Sequence, residues 1–237
     1  MPDVLLAIVY GLFAGLMIPA GGYLASIERI QPNWLEQEFR HSVIAFGGGI
    51  LVSAVAFVLV PEALDLLPIW ASVLTFFAGG ALFALLEYLQ SKKASQNAQF
   101  IAMLTDFVPE AASLGAMMAA RTPEAALLAF LIGAQNLPEA FNAWRELRGG
   151  RHHRRAHVMR IFFVLALIGP AAVLLGYFFL ADRPILTGTI MMVAAGGILF
   201  LTFQDIAVKA HLKYKQAPSL AALLGFSLGM VGHALVS

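Results

Sequence analysis

Six long runs without a single charged residue restrict how this chain can fold. They cover residues 4–27, 42–60, 69–86, 161–181, 185–203 and 219–237. Each run is close to the ~20 residues that an α-helix needs to cross the hydrocarbon core of a bilayer. The whole chain is 60% hydrophobic and 12% charged, whereas soluble domains carry about 25% charged residues. We therefore expect an integral membrane protein.

Two further segments, 98–120 and 125–143, are equally apolar but contain acidic residues. Counting them gives eight spans, and the long runs show no alternation that would indicate strands. We predict an all-α integral membrane protein whose single domain covers residues 1–237. The eight transmembrane helices are expected near 4–27, 42–64, 69–90, 98–120, 124–145, 159–181, 185–209 and 218–237.

Lysine and arginine fall on alternate connectors and so predict the orientation. With the N-terminus outside, the inner connectors hold thirteen of the 15 basic residues, and the outer connectors hold only Arg121 and Arg183. Such an excess is typical of cytoplasmic loops. We therefore predict that both termini lie outside, in what we expect to be a bacterial cytoplasmic (inner) membrane. The start "MPDVLL" lacks a basic region, so the first span is expected to be a retained helix and not a cleaved signal.

Two similar motifs place acids inside the apolar segments: "DFVPEA" at 106–111 and "QNLPEA" at 135–140. Asp106 and Glu110 are four residues apart, as are Gln135 and Glu139, so each pair projects from one helix face. An unpaired carboxylate at bilayer depth costs at least ~2.5 kcal/mol. The acids are therefore expected either to be protonated or to share a cation.

The prolines of the two motifs favour the cation. Pro109 and Pro138 each remove one helical hydrogen bond, to the carbonyl four residues earlier. One such kink is common in membrane helices. Here there are two, each followed by glutamate and preceded by a side chain with a ligand oxygen. The predicted metal ligands are Asp106, Glu110, Gln135 and Glu139.

The paired motifs on the fourth and fifth of eight spans resemble those of the ZIP family of divalent metal transporters. That family carries His-Asn-x-Pro-Glu-Gly-like motifs on these two helices, and "AFVLVPEAL" and "GGILFLTFQDI" are weaker similarities. The resemblance implies a ZIP-like bundle that carries zinc, manganese, iron or cadmium toward the cytosol. It also implies an elevator-type motion in a homodimer, with helices 1, 4, 5 and 6 moving against helices 2, 3, 7 and 8. The expected partners are the metal ion and the lipid bilayer, without nucleic acid or a resident cofactor.

Carried over residue by residue, the resemblance assigns the principal metal site. Asp106 and Gln135 stand where the family usually has histidine, although glutamine also occurs at the second position, and Glu110 and Glu139 match its glutamates. The ligands are then all oxygens, which suit manganese, magnesium or ferrous iron better than zinc. Two outcomes remain open: a changed metal preference, or a lower affinity with the preference kept.

A second metal position of the family lacks two of its ligands in this chain. Phe107 replaces the usual asparagine of the fourth helix, and Gly169 replaces the usual glutamate of the sixth. Asn136 remains as a weaker candidate ligand. The resemblance therefore implies one ion in the membrane and not two.

The acids of the predicted outer side could concentrate cations at an entrance, and we expect the ion to be collected near Glu62 and Asp65. Gln204 and Asp205 match the family's polar pair on the exit path, so the resemblance implies that the ion leaves past them. Asp205 is a weaker candidate, because it could equally pair with Lys209 one helical turn further on.

Other classes of function receive less support from the sequence. A membrane enzyme is not expected, because neither an HExxH nor a GxSxG motif is present. A proton-coupled carrier of another solute is the main alternative, since buried carboxylates also serve as proton relays. A ZIP-like protein with altered or lost metal transport is a further one.

Overall fold

The computed structural model describes residues 2–28, 33–91, 98–149, 155–210 and 216–236. Over these ranges the chain is helical and contains no β-strand, which confirms the all-α prediction. The helices are α1 (Pro2–Ile27), α2 (Asn33–Ala54), α3 (Val60–Leu66), α4 (Ile69–Ser91), α5 (Ala98–Ala120), α6 (Ala125–Gly149), α7 (Arg155–Ala166), α8 (Ile168–Phe179), α9 (Pro184–Leu201), α10 (Ala207–Ala210) and α11 (Ala217–Val236). Two π-helical turns continue the chain, Val55–Leu59 from α2 to α3 and Thr202–Ile206 from α9 to α10.

Six helical segments in the described ranges are long and apolar enough to cross a membrane. They are Asp3–Ile27, Gln37–Leu66, Ile69–Leu89, Arg155–Phe179, Pro184–Gln204 and Ala217–Val236. These six candidate spans are compatible with a multi-pass helical membrane protein. The helices that carry the acidic motifs, α5 and α6, are of similar length, with 23 and 25 residues.

One predicted span is divided in two. The sequence predicts a single helix over 159–181, but α7 ends at Ala166 and α8 begins at Ile168. The break lies just before Pro170, which has no N–H to donate to the carbonyl of Ala166. The π-helical turn at Val55–Leu59 likewise comes just before Pro61, a setting in which the helical hydrogen-bond register commonly changes.

The helices pack in two groups. The first group consists of α1 and α5–α8, which pack on one another. The second group consists of α2–α4 and α9–α11, built around the pairs α2–α11 and α4–α9. The groups meet mainly where α2 packs on α6 and α5 packs on α9.

Glycines bring backbones into direct contact inside each group. A Cβ at Gly115 of α5 would overlap the carbonyl oxygen of Val173 in α8, and a Cβ at Gly176 of α8 would overlap that of Ala112. Similar backbone contacts occur at Gly49 and Gly225 between α2 and α11, and at Gly79 and Gly196 between α4 and α9. Small residues permit this close approach of membrane helices. Each group is therefore tightly packed within itself.

Between the groups, the glycine contacts of the described residues are with side chains. A Cβ at Gly47 of α2 would lie 3.1 Å from Cγ of Pro138 in α6. Gly232 of α11 faces the side chain of Leu127 in α6. The interface between the groups is consequently less closely interlocked than the packing within them.

Candidate cation-binding site

The two acidic motifs face each other where α5 packs on α6. Nε2 of Gln135 donates a hydrogen bond of 2.5 Å to Oε2 of Glu110. Glu110 is fully buried and Gln135 is 1% exposed. The structure therefore joins one predicted ligand from each motif directly.

The other two predicted ligands belong to the same cluster. Asp106 is buried, and its carboxyl is close enough to those of Glu139 and Glu110 for electrostatic repulsion between them. Glu139 is partly buried and also interacts with Glu110. The ion pairs described nearby, Arg145 with Glu28 at 2.9 Å and Arg121 with Asp3 at 2.7 Å, engage other acids.

Among the described residues, five buried side-chain oxygens accept no hydrogen bond. They are Asp106 Oδ1, Glu110 Oε1, Gln135 Oε1, Glu139 Oε2 and Asn142 Oδ1. Buried polar groups are normally hydrogen-bonded, since an unmatched one costs about 1–3 kcal/mol. Their concentration on two facing helices indicates a site for a ligand that brings positive charge.

The sequence repeat extends further than the six residues of each motif. Ser113 and Asn142 each follow the proline of their motif by four residues, and both are buried. Oγ of Ser113 donates to the carbonyl of Pro109 at 2.9 Å, and Nδ2 of Asn142 donates to that of Pro138 at 3.0 Å. Asn142 was not among the ligands predicted from the sequence, although a polar residue four positions after both prolines could have indicated it.

Apolar packing fills the region of the family's second metal position. Phe107 is 1% exposed. A Cβ at Gly169 would lie 3.0 Å from Cζ of the Phe107 ring and would overlap the carbonyl oxygen of Gly11. Nδ2 of Asn136 donates to the carbonyl of Ala14 at 2.9 Å, so this amide nitrogen is engaged by α1.

Toward the predicted outer face, Glu62 at the end of the second span meets Glu124 before α6. Their carboxyls are hydrogen-bonded to each other, and Asp65 is close enough to interact electrostatically with Glu62. Glu62 and Asp65, the two acids that the sequence placed at an entrance, both lie in α3 of the second group, and Glu124 comes directly before α6 of the first group.

Of the two predicted exit-path residues, only Gln204 has a described side chain. Gln204 is exposed in the π-helical turn Thr202–Ile206. Asp205 lies in the same turn, but its side chain and that of Lys209 are outside the described ones. The role of Asp205 on the exit path stays a prediction.

In this structure the described side chains of the cluster do not surround a single point where a metal ion could bind. Among the described residues, no three His, Cys, Asp or Glu side chains form a group that could hold a metal ion as they stand. The bond from Gln135 to Glu110 instead satisfies one oxygen of the glutamate and turns the amide nitrogen toward it. The chain matches no known family model, and no curated protein is significantly similar to it.

Proposed function

We propose that the protein is a divalent metal cation transporter that moves zinc, manganese, iron or cadmium toward the cytosol. One observation carries the proposal: all four ligands predicted from the sequence have a buried oxygen that lacks a hydrogen-bond partner in the described structure. A dication shared by Asp106, Glu110 and Glu139 would neutralise their mutual repulsion. It would also supply the interaction that these oxygens lack.

Binding requires one local rearrangement. Gln135 now presents its amide nitrogen to Glu110, and a nitrogen that carries two protons cannot bind a metal. Rotation of the amide would release Oε2 of Glu110 and bring Oε1 of Gln135 to the ion. The ligand set would then contain only oxygens, which favours manganese or ferrous iron over zinc.

The two groups of helices support an elevator-type transport step. The ligands lie on α5 and α6 of the first group, and α9 and α2 of the second group pack on these two helices. Within each group the helices are in direct backbone contact at glycines, whereas the glycine contacts between the groups are with side chains. In this proposal eight spans cross the membrane with both termini outside, and two copies form a homodimer. The ion enters past Glu62 and leaves past Asp205.

The proposed topology can be tested directly because the chain contains no cysteine. An Asp182→Cys variant should react with a membrane-impermeant maleimide added outside intact cells. An Arg155→Cys variant should react only after the cells are opened. Equal labelling of both from outside would contradict the orientation.

Metal-dependent thermal stability in detergent tests the site itself. A ligand at 100 times its dissociation constant stabilises a folded protein by about 2.7 kcal/mol. Manganese or zinc should therefore raise the Tm of the wild-type protein clearly, but not that of Glu110→Ala/Glu139→Ala. Asp182→Ala removes an exposed acid and serves as the control. An equal rise in the double variant would refute the site.

Transport is tested by metal uptake into proteoliposomes. Glu139→Gln replaces a carboxylate by an amide of the same size and should abolish uptake. Unchanged uptake would exclude the proposed role of Glu139. The alternative, a proton-coupled carrier of another solute, predicts proton flux without any metal and a Tm that metal does not change.

A further inference from the structure

A cavity of about 30 Å³ lies where α6 meets the second group of helices. Glu139 and Asn142 of α6 line one side of it. Gly47 and Gly48 of α2 and Ile206 of the π-helical turn line the others. The cavity is thus bounded by both groups of helices.

The two polar residues of this cavity each contribute an unmatched oxygen. Oε2 of Glu139 and Oδ1 of Asn142 are buried and accept no hydrogen bond from the described part of the chain. Asn142 is 2% exposed. Its orientation is fixed chemically, because only the amide nitrogen can donate to the carbonyl of Pro138. The other end of the amide is therefore the acceptor oxygen.

The chemistry and the size of the cavity restrict what it can hold. A carboxylate and an amide carbonyl are typical ligands of hard divalent cations. A volume of about 30 Å³ exceeds the ~10–15 Å³ that a cavity needs to hold one water molecule. The cavity can therefore take a water molecule or an ion that has lost most of its water.

We infer that Glu139 and Asn142 form an inner subsite for the transported dication; this inference rests on the proposed function. Glu139 belongs both to the cluster with Asp106 and Glu110 and to the inner subsite, so the ion occupies the two positions in turn. The subsite lies between the two groups of helices. A shift of one group against the other would change its walls and release the ion inward.

If Asn142 had only a structural role, loss of the equivalent side chain in α5 should have the same effect as loss of Asn142. Ser113 holds the equivalent place in α5, is equally buried, and donates to the carbonyl of its own proline. Ser113 is not among the residues that line this cavity, and its oxygen is not one of the unmatched oxygens of the described residues. Ser113→Ala therefore removes the same kind of hydrogen bond without removing a metal ligand.

Manganese binding and manganese uptake, measured on the full chain, separate these roles. In Asn142→Ala, the manganese-induced rise in Tm should persist, because the outer cluster is intact, while uptake into proteoliposomes should fall at least about tenfold. Ser113→Ala should retain both the rise in Tm and the uptake, because it removes no metal ligand.

The inference is overturned if Asn142→Ala takes up manganese at the wild-type rate, or if Ser113→Ala slows uptake as much as Asn142→Ala does. Should Asn142→Ala fail to fold, Gly47→Ala narrows the cavity from the opposite wall and should slow uptake without weakening binding. Unchanged uptake in that variant would count against the subsite. A wild-type protein that neither binds nor transports zinc, manganese, iron or cadmium would instead overturn the proposed function, and this inference with it.

Discussion

Gln135 and Glu110 form a buried hydrogen bond of 2.5 Å that joins the two repeated motifs across the α5–α6 interface. The bond uses one oxygen of the carboxylate and the nitrogen of the amide. It leaves Oε1 of each residue without a partner among the described residues. The same pair thus holds the cluster together and keeps two metal ligands available.

Replacing Gln135 by leucine should destabilise the metal-free protein. Oε2 of Glu110 would then lose its donor, and an unmatched buried acceptor costs about 1–3 kcal/mol. The Tm without metal should fall, and the rise on adding manganese should become smaller because one ligand is gone. Gln204→Leu makes the same chemical change at an exposed position and should leave both values nearly unchanged. Equal Tm values for the two variants would contradict the prediction.

Replacing Asp106 by histidine should shift the metal preference toward zinc. Imidazole favours zinc over manganese, whereas carboxylates favour the harder ions. The measurement is competition between zinc and manganese for the purified protein, followed by elemental analysis. Asp182→His adds a histidine at an exposed site and should leave the ratio unchanged. If Asp106→His also leaves it unchanged, the all-oxygen set does not determine selectivity.

Metal affinity should fall as the pH is lowered. Metal binding requires deprotonated carboxylates, so protons compete with the ion for Asp106, Glu110 and Glu139. Metal affinity is therefore highest at a pH where these acids are ionised, and it falls as the pH is lowered and they take up protons. Manganese titrations followed by Tm at stepwise lower pH measure this. A tighter complex in acid would show that these carboxyls are not the ligands.

One dication per chain should bind within the membrane. The ring of Phe107 lies against Gly169, so the two positions where the ZIP family has further ligands are in apolar contact. The proposed inner subsite shares Glu139 with the outer cluster and so adds no second ion at equilibrium. Equilibrium dialysis with manganese should give a ratio near one for the wild-type chain. A ratio near two would contradict both statements.

The sequence predicted the all-helical fold because long apolar runs without alternation favour helices over strands. It did not predict the π-helical turns at Val55–Leu59 and Thr202–Ile206 or the break between α7 and α8. These features are changes in hydrogen-bond register, and hydropathy carries no information about register. Pro170 was visible in the sequence, but a proline in a membrane helix does not by itself distinguish a kink from a break.

Only part of the geometry of the candidate site can be predicted from the sequence, for a similar reason. Helical spacing placed Asp106 with Glu110 and Gln135 with Glu139. That Gln135 faces Glu110 depends on how α5 and α6 are rotated against each other, and distant packing contacts decide this rotation. Asn142 was missed because the motif was taken to end at Ala140. Its importance comes from the cavity that it shares with α2, which no local pattern reveals.

The backbone contacts within each helix group should be more sensitive to added volume than other glycine positions. In Gly115→Ala, the new Cβ would overlap the carbonyl oxygen of Val173, so α5 and α8 would have to separate. Overpacking of this kind costs about 1–3 kcal/mol. At Gly80 the nearest atom to a new Cβ is the carbonyl oxygen of Gly196 at 3.5 Å, an ordinary contact. Gly115→Ala should therefore lower the Tm in detergent clearly, while Gly80→Ala leaves it close to the wild-type value. Similar Tm values for the two variants would mean that the first group is not held together by these contacts, and would remove one support for its movement as a unit.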